Sequence, residues 1–322
     1  MTWRVDALVI GAGVVDLACA RRLAAAGRET VVLEGQRQFG QGISSRNSEV
    51  IHAGLDYPVG SLKARLCRQG RDMLYGYCGR RGIAHRRVGK WVVATSQQQA
   101  EALQGIAARG RTNGCEDLVL VEGDAARRIE PELRCVAALE SLSTGIVDSL
   151  GLMTALLADT EAAGGSLAVC SPAAAVPARC FAKGSSFTLS GRSPFQRLIY
   201  PVPEVGGLGL HLTLDLQGQA KFGLNMESLE APEYTVDSGL LDAFHQTITA
   251  YWPGCDRNRL QPGYADVRPK LGSRDHFADD FVIKSAETHG VAGLVNLVGI
   301  ESPKLTSCLA IAEEVAARVG SD

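Results

Sequence analysis

The stretch VIGAGVVDLACARRLAAAG, residues 9–27, constrains the fold of this chain more than any other. It overlaps the β-rich run VDALVI (5–10), places Gly11 and Gly13 at a turn, and continues with apolar residues at helical spacing (Val14, Leu17, Ala18, Leu23, Ala24). A second apolar run, TVVLE (30–34), follows Gly27. Strand, glycine turn, helix and strand within about thirty residues is the sequence form of a βαβ unit, whose two strands pair in parallel. A chain of 322 residues has room for two domains.

In the pattern G-x-G-x-x-G, the turn directs backbone N–H groups and the helix dipole toward a pyrophosphate. Gly11 and Gly13 fill the first two glycine positions and Asp16 stands at the third, while Glu34 ends the second strand where a carboxylate meets a ribose diol. The residues alone leave two readings open, a dinucleotide-binding turn or a βαβ turn without a ligand. Asp16 adds a side chain at a close helix–sheet contact, and its charge competes with a diphosphate for the helix N-terminus. Weakened cofactor binding is the expectation.

Further along, SLKARLCRQGRDMLYGYCGRRG (61–82) predicts an amphipathic helix, KWVVAT (90–95) a strand, and QQQAEALQGIAARGRTNG (97–114) a helix closed by glycine. GDAARRIEPEL predicts a short helix, and LESLSTGIVDSLGLMTALLADTEAAGG a loop and a long helix. From about 185 the alternating runs SSFTLSG, RLIYPVPE and GLGLHLTLDLQGQAKFG predict antiparallel strands. SGLLDAFHQTITAYWPG reads as a helix, and the chain closes with a strand, a glycine turn and a helix over 302–319.

Apolar residues at 46%, charged residues at 21% and a net charge of −2 suit an ordinary soluble domain and give no sign of nucleic acid or an anionic membrane. Nine scattered cysteines without a C-x-x-C pair read as reduced thiols of a cytosolic protein. No histidine pair has metal spacing, so no metal is expected, and no G-x-S-x-G elbow is present. The N-terminal apolar run, broken by glycines and Asp16, reads as a core strand and not as a signal peptide or transmembrane helix. A cytoplasmic location is expected, in solution or peripheral to a membrane.

The loop GISSRNSEVIHAGLDYP (42–58), together with RLIYPVPE, PGYADVRPKL and GIESPKLT, resembles the L-2-hydroxyglutarate dehydrogenase/oxidase branch of the D-amino-acid-oxidase-like FAD oxidoreductases along nearly the whole chain. The resemblance implies an α/β protein: a glutathione-reductase-type, Rossmann-like FAD-binding domain (1–80, 141–180 and 262–322) and an antiparallel β-rich substrate domain (81–140 and 181–261). It implies non-covalent FAD, with Gly11, Gly13 and Glu34 on the ADP half and Ser44, Ser45, Arg46 and Asn47 near the diphosphate and flavin. Gly299, Ile300, Glu301 and Ser302 would approach the flavin ring and ribityl chain. The substrate would be a small 2-hydroxy acid, with His52 as general base and hydride passing to the flavin, and the electron acceptor is left open. A hydroxy dicarboxylate needs cationic or phenolic partners, for which Arg268, Lys270 and Tyr264 are the candidates, with Tyr57 and Tyr200 behind them. His52 as a structural histidine, Arg268 and Lys270 as solvated strand ends, and both tyrosines as packing residues before proline are the alternatives.

Four features depart from the family pattern. Besides Asp16, several tens of residues are missing between Gly165 and SSFTLSG, where relatives carry an inner strand and an N-A-A-G-like turn. Such a loss leaves apolar surface and unpaired backbone exposed. Leu150 stands where a histidine facing the site is expected, and Lys304 and Ala312 stand where small glycines are expected. A degenerate relative with weak or no FAD binding, or an enzyme acting on an amino acid or glycerol 3-phosphate, are the competing functions.

Overall fold

The computed structural model describes residues 4–172, 180–203, 209–270, 272–273, 276–277 and 280–320. The first half of the chain forms β1 (Ala7–Ile10), α1 (Val14–Ala24), β2 (Thr30–Leu33), β3 (Val50–Ile51), α2 (Leu62–Arg81), β4 (His85–Arg86), β5 (Lys90–Ala94), α3 (Gln97–Thr112), β6 (Leu118–Glu122), α4 (Gly123–Ile129), β7 (Ala137–Ser141), β8 (Gly145–Val147), α5 (Ser149–Ala162) and β9 (Ser166–Ala168). The second half adds β10 (Cys180–Leu189), β11 (Leu198–Pro201), β12 (His211–Leu214), β13 (Ala220–Gly223), β14 (Glu227–Leu229), α6 (Leu241–Thr249), β15 (Leu260–Lys270), β16 (Gly272–Ser273), β17 (His276–Phe277), β18 (Val282–Lys284), α7 (Ala286–His289), β19 (Asn296–Val298) and α8 (Lys304–Val319).

The βαβ unit forms as its pattern dictates. β1 and β2 pair in parallel, Ala7 opposite Thr30, and β9 extends the sheet on the far side of β2. The apolar faces of α1, α5 and α8 meet in one core that holds Leu17, Leu156, Cys308 and Ile311. Among the described residues β1 pairs with β2 alone, and its outward side chains Leu8 and Ile10 are 54% and 62% exposed. These are the apolar groups left open on the sheet that the sequence marks as short of a strand.

The second sheet has nine strands in the order β14-β10-β13-β12-β11-β5-β7-β6, with β15 also paired to β10. It is largely antiparallel, but β11 lies parallel to β5, Leu198 opposite Lys90 and Tyr200 opposite Val92. The exception arises because β11 reaches β5 only after a long excursion through other strands, and a long connection permits a parallel pair. The boundary expected at 262 falls inside β15, which runs alongside β10 from residue 260 to residue 270.

β5 is buried on both faces. Trp91 and Val93 face a core with Phe187, Phe222 and Trp252, while Val92 and Ala94 face Leu103 and Ala107 of α3. Alternation along the strand puts Lys90 on the side of Val92 and Ala94. α2 starts at Ser61, whose hydroxyl accepts the Ala64 N–H at 3.1 Å, and stops at Gly82.

α8 packs against both α1 and α2, and its approach to α2 is close. A Cβ at Gly70 would lie 2.3 Å from the Thr306 carbonyl oxygen and 2.7 Å from the Ser307 Cα, both backbone atoms. Gly70→Ala therefore forces the helices apart. We expect a loss of roughly 1–3 kcal/mol of unfolding free energy, read from the urea midpoint, as for other overpacked cores; an unchanged midpoint would refute the close approach.

Candidate active site

The turn between β1 and α1 presents three successive amides, those of Ala12, Gly13 and Val14, to three side-chain acceptors. Gly11 takes a φ of 105°, open to glycine at little cost, and donates its N–H to the Leu33 carbonyl at 2.8 Å. Ala12 then donates to Glu34 Oε2 (2.9 Å), Gly13 to Asp16 Oδ2 (2.9 Å) and Val14 to Ser44 Oγ (3.1 Å). Glu34 binds the Gln36 N–H with its other oxygen at 2.8 Å, which fixes it at the end of β2 beside the turn.

Asp16 lies over the glycines. A Cβ on Gly11 would sit 2.9 Å from Asp16 Oδ2, and one on Gly13 3.1 Å from it, so the carboxylate fills the space that the absent side chains leave. Burial raises its pKa to about 6; the Gly13 N–H and the Lys304 ammonium pull it down, and Glu34 pushes it up. Lys304, the first residue of α8, is lowered by burial to about 8, with Asp16 and Asp266 opposing the shift.

The loop that follows is held by its own polar groups. Asn47 donates from Nδ2 to the Ser44 carbonyl at 2.8 Å and accepts the Glu49 N–H at 2.7 Å. Ser45 turns back to the Gly42 carbonyl, and the Arg46 guanidinium sits 4.6 Å over the Tyr234 ring. The Tyr264 hydroxyl donates to the Asn47 carbonyl at 2.7 Å, so it braces this loop from β15.

A cavity of about 390 Å³ is lined by Ser44, Asn47, Ser302 and Lys304 together with His52, Tyr200, His211 and Arg268. The His52 N–H donates to Thr306 Oγ1 at 3.0 Å, whereas its ring has no hydrogen-bond partner among the described residues. Burial lowers the His52 pKa to about 4, Lys90 adds to the effect, and Asp56 opposes it. His211 is lowered to about 3, again by burial and then by Lys90. Its ring lies flat on Tyr200, with centroids 3.7 Å apart and planes 7° apart.

Beneath them Lys90, 1% exposed, places Nζ 3.0 Å from Asp56 Oδ2 and 4.8 Å from the centre of the Tyr200 ring. Burial works against the Asp56 carboxylate, yet Lys90 outweighs it and holds Asp56 below its ordinary pKa. Arg268 reaches the cavity with its Nε 2.9 Å from Asp266 Oδ2.

Of the residues named from sequence, the cavity wall gathers Ser44, Asn47, His52, Tyr57, Tyr200, Arg268 and Ser302, while Gly11, Gly13 and Glu34 form the adjoining turn. Ser45, Arg46, Gly299, Ile300, Glu301, Tyr264 and Lys270 do not line it. Lys270 was expected on the substrate, but its ammonium lies 2.5 Å from Glu301 Oε2, and Lys63 holds the other oxygen of Glu301 at 3.2 Å. Two lysines thus share one nearly buried carboxylate behind the turn. Tyr264, expected as a phenolic partner, has its hydroxyl committed to the loop. Leu150 does not face the site: it lies in the first turn of α5, 62% exposed.

Asp56, Lys90, Arg109, His211 and Thr213 escaped the sequence reading. His211 and Thr213 share one face of β12 while Leu212 and Leu214 enter the core, an alternation that also describes a solvated strand. A lysine opening the apolar run KWVVA was the available signal for Lys90.

Among the described residues no cluster of three or more His, Cys, Asp or Glu is placed to hold a metal, and no helix is long and apolar enough to cross a membrane. The model of the family described as FAD dependent oxidoreductase, DAO, matches residues 6–182 and 171–318. An Arabidopsis thaliana protein named L-2-hydroxyglutarate dehydrogenase, mitochondrial, is 38% identical over 97% of this chain and 83% of its own length. The human protein of the same name is 36% identical over 50% of this chain and 35% of its own. Among solved structures, an FAD-bound L-α-glycerophosphate oxidase from Mycoplasma pneumoniae superposes with a TM-score of 0.88 at 18% identity, covering 99% of this chain and 95% of that one. Glycine oxidase from Geobacillus kaustophilus follows at 0.81 and 17%, covering 100% and 96%. The Arabidopsis alignment spans 400 residues against 322 here, leaving at least 78 positions without a counterpart. The two family matches meet at 171–182, within the stretch where the sequence reads as shortened.

The glycine turn, Glu34, Ser44 and the cavity fit FAD, whereas a charged Asp16 on the Gly13 N–H would oppose its diphosphate. Asp16→Asn removes the charge and Asp16→Gly the side chain as well, and each should tighten FAD binding on the order of tenfold at pH 7.5 in a fluorescence titration of apoprotein. Because Asp16 gains its proton below about pH 6 while Lys304 keeps its charge below about 8, wild-type affinity should rise as pH falls from 7.5 to 5.5. Both variants should lose that slope. Equal affinities and slopes in all three proteins would remove Asp16 from the account.

Proposed function

The chain belongs to the DAO family of FAD-dependent oxidoreductases, and from that premise we propose that it oxidises L-2-hydroxyglutarate, or a close 2-hydroxy dicarboxylate, to the 2-oxo acid. FAD, held by the turn at Gly11–Gly13 and Glu34 and by the loop at Ser44–Asn47, supplies the hydride acceptor when bound. The observation that carries the reading is His52: an imidazole with free ring nitrogens, neutral at working pH, facing a cavity that also holds Arg268. The Arabidopsis relative, similar over nearly the whole chain, supports the choice of substrate.

As the C2 hydrogen leaves with its electron pair, the substrate hydroxyl must lose a proton, and a ring nitrogen of His52 accepts it. A pKa of about 4 means the ring enters the reaction unprotonated at neutral pH. His211 is also neutral, but its ring is stacked face to face on Tyr200 and so is fixed in orientation. Arg268, kept in place by Asp266, offers its guanidinium to the carboxylate beside the reacting carbon. The Thr306 hydroxyl holds the His52 backbone, so the base approaches from a fixed point of α8.

Purified protein should be yellow, and anaerobic L-2-hydroxyglutarate should bleach it. His52→Gln should slow that bleaching by about 10²–10⁴-fold, the usual worth of a positioned base. Wild-type kcat/KM should hold steady from pH 7.5 down to 5.5 on account of His52 and fall only as the pH nears 4, since protonation of the base removes its acceptor. Bleaching at an unaltered rate in His52→Gln would sink the assignment.

A further inference from the structure

The cations of the cavity wall are nearly all answered by carboxylates. Arg268 is bonded to Asp266 at 2.9 Å, and Lys304 faces Asp16, Asp266 and Glu301. Lys90, just behind the wall, is bonded to Asp56 at 3.0 Å. Arg109 of α3 also lines the cavity, and among the described residues no carboxylate lies within ion-pair distance of it. Its side chain is exposed, so its charge costs the free protein no desolvation.

The helix that carries Arg109 is held in place. One turn further on, Asn113 donates from Nδ2 to the carbonyls of Gly54 (3.2 Å) and Tyr57 (2.9 Å). α3 is thereby tied to the loop that runs on from His52 and carries Asp56. One turn earlier, Ile106 also faces the cavity, so this side of the helix forms part of its wall. Arg109 thus lines the same cavity as His52 and is itself exposed to solvent.

A 2-hydroxy dicarboxylate brings two anions. The one beside C2 must lie near His52 and Arg268 for the proton to be taken; the other is three bonds away from C2 and needs a cation not already neutralised. We propose that Arg109 is a specificity-determining residue that receives this distal carboxylate. The inference rests on the functional reading above. A guanidinium binds a carboxylate through two parallel N–H···O bonds, a geometry that a lysine or a lone dipole does not reproduce. When substrate fills the cavity, water leaves the neighbourhood of Arg109 and the pair strengthens, so the uncompensated charge favours dicarboxylates over monocarboxylates of the same reacting end.

The test compares FAD-loaded wild type, Arg109→Gln and Arg109→Lys on L-2-hydroxyglutarate and on L-2-hydroxybutyrate, which lacks the distal carboxylate. In Arg109→Gln the ratio of kcat/KM for the dicarboxylate to that for the monocarboxylate should fall about tenfold, through KM and not kcat, with Arg109→Lys intermediate. Thermal stabilisation by glutarate, which is not turned over, should shrink in Arg109→Gln by comparison with wild type. Wild type that leaves L-2-hydroxyglutarate unoxidised overturns the functional reading. Wild type that oxidises it, beside an Arg109→Gln variant with an unchanged ratio and unchanged glutarate stabilisation, overturns the role of Arg109 alone.

Discussion

The hydroxyl of Thr306 ties the two ends of the chain into one site. Fully buried in α8, it accepts the His52 N–H at 3.0 Å and donates to the Val50 carbonyl at 3.3 Å, so the strand that leads to the base is hydrogen-bonded to the C-terminal helix. The carbonyl of the same residue lies against Gly70, where only a glycine lets α2 and α8 come so near. A polar group in a dry interface must find partners, and here both of its bonds fall on the segment that presents His52. The position of the base therefore depends on helix packing, and a change at Gly70 should be felt at His52 without touching the cavity.

The same helix sets the charge at the glycine turn. Lys304 begins α8 and faces Asp16, which sits in the space that Gly11 and Gly13 keep clear. The arrangement is self-consistent: Asp16 takes the Gly13 N–H and the helix dipole, and Lys304 balances it. A diphosphate held at this turn would need those same amides. What stabilises the free turn thus opposes the ligand, and a carboxyl that titrates near 6 moves the balance within an ordinary pH range. β1, which among the described residues pairs with β2 alone and leaves Leu8 and Ile10 exposed, belongs to the same region. Asp16 follows β1 and the shortened stretch begins at β9, both strands of the three-stranded sheet, while the sheet that carries β11 and β12 keeps a closed core.

Local pattern made much of this legible. Strand, glycine turn and helix over 7–24, the amphipathic α2, and the alternation of β12 and β13 follow from spacing that needs no tertiary partner. His52, Ser44 and Asn47, expected together from the family resemblance of one continuous loop, all line the cavity. Side chains whose role depends on a distant partner were not. Tyr264 looked like a phenol for substrate, but a backbone carbonyl more than two hundred positions away binds it. Lys270 looked like a cation for substrate, but Glu301, whose other oxygen Lys63 holds, meets it only once the fold brings residue 301 beside β15. Lys90 and Asp56, thirty-four positions apart, look in sequence like a strand end and a loop acid, and only the fold makes them a nearly buried pair next to the base.

Pairing also decides what the cavity can attract. Asp56 holds Lys90 and Asp266 holds Arg268, so each cation is oriented by its carboxylate and each pair contributes little net field. Such pairs position: Lys90 helps keep His52 and His211 neutral, and Arg268 is kept from swinging into solvent. They do not by themselves favour a dianion over a monoanion, because the charge that would do so is already opposed. Selection by charge must then come from a cation without a carboxylate, held where the far end of the substrate arrives. Where the other cations of the wall face carboxylates, the guanidinium of Arg109, on a helix held by Asn113, gives the cavity a sign, and that sign is the one an acidic substrate requires.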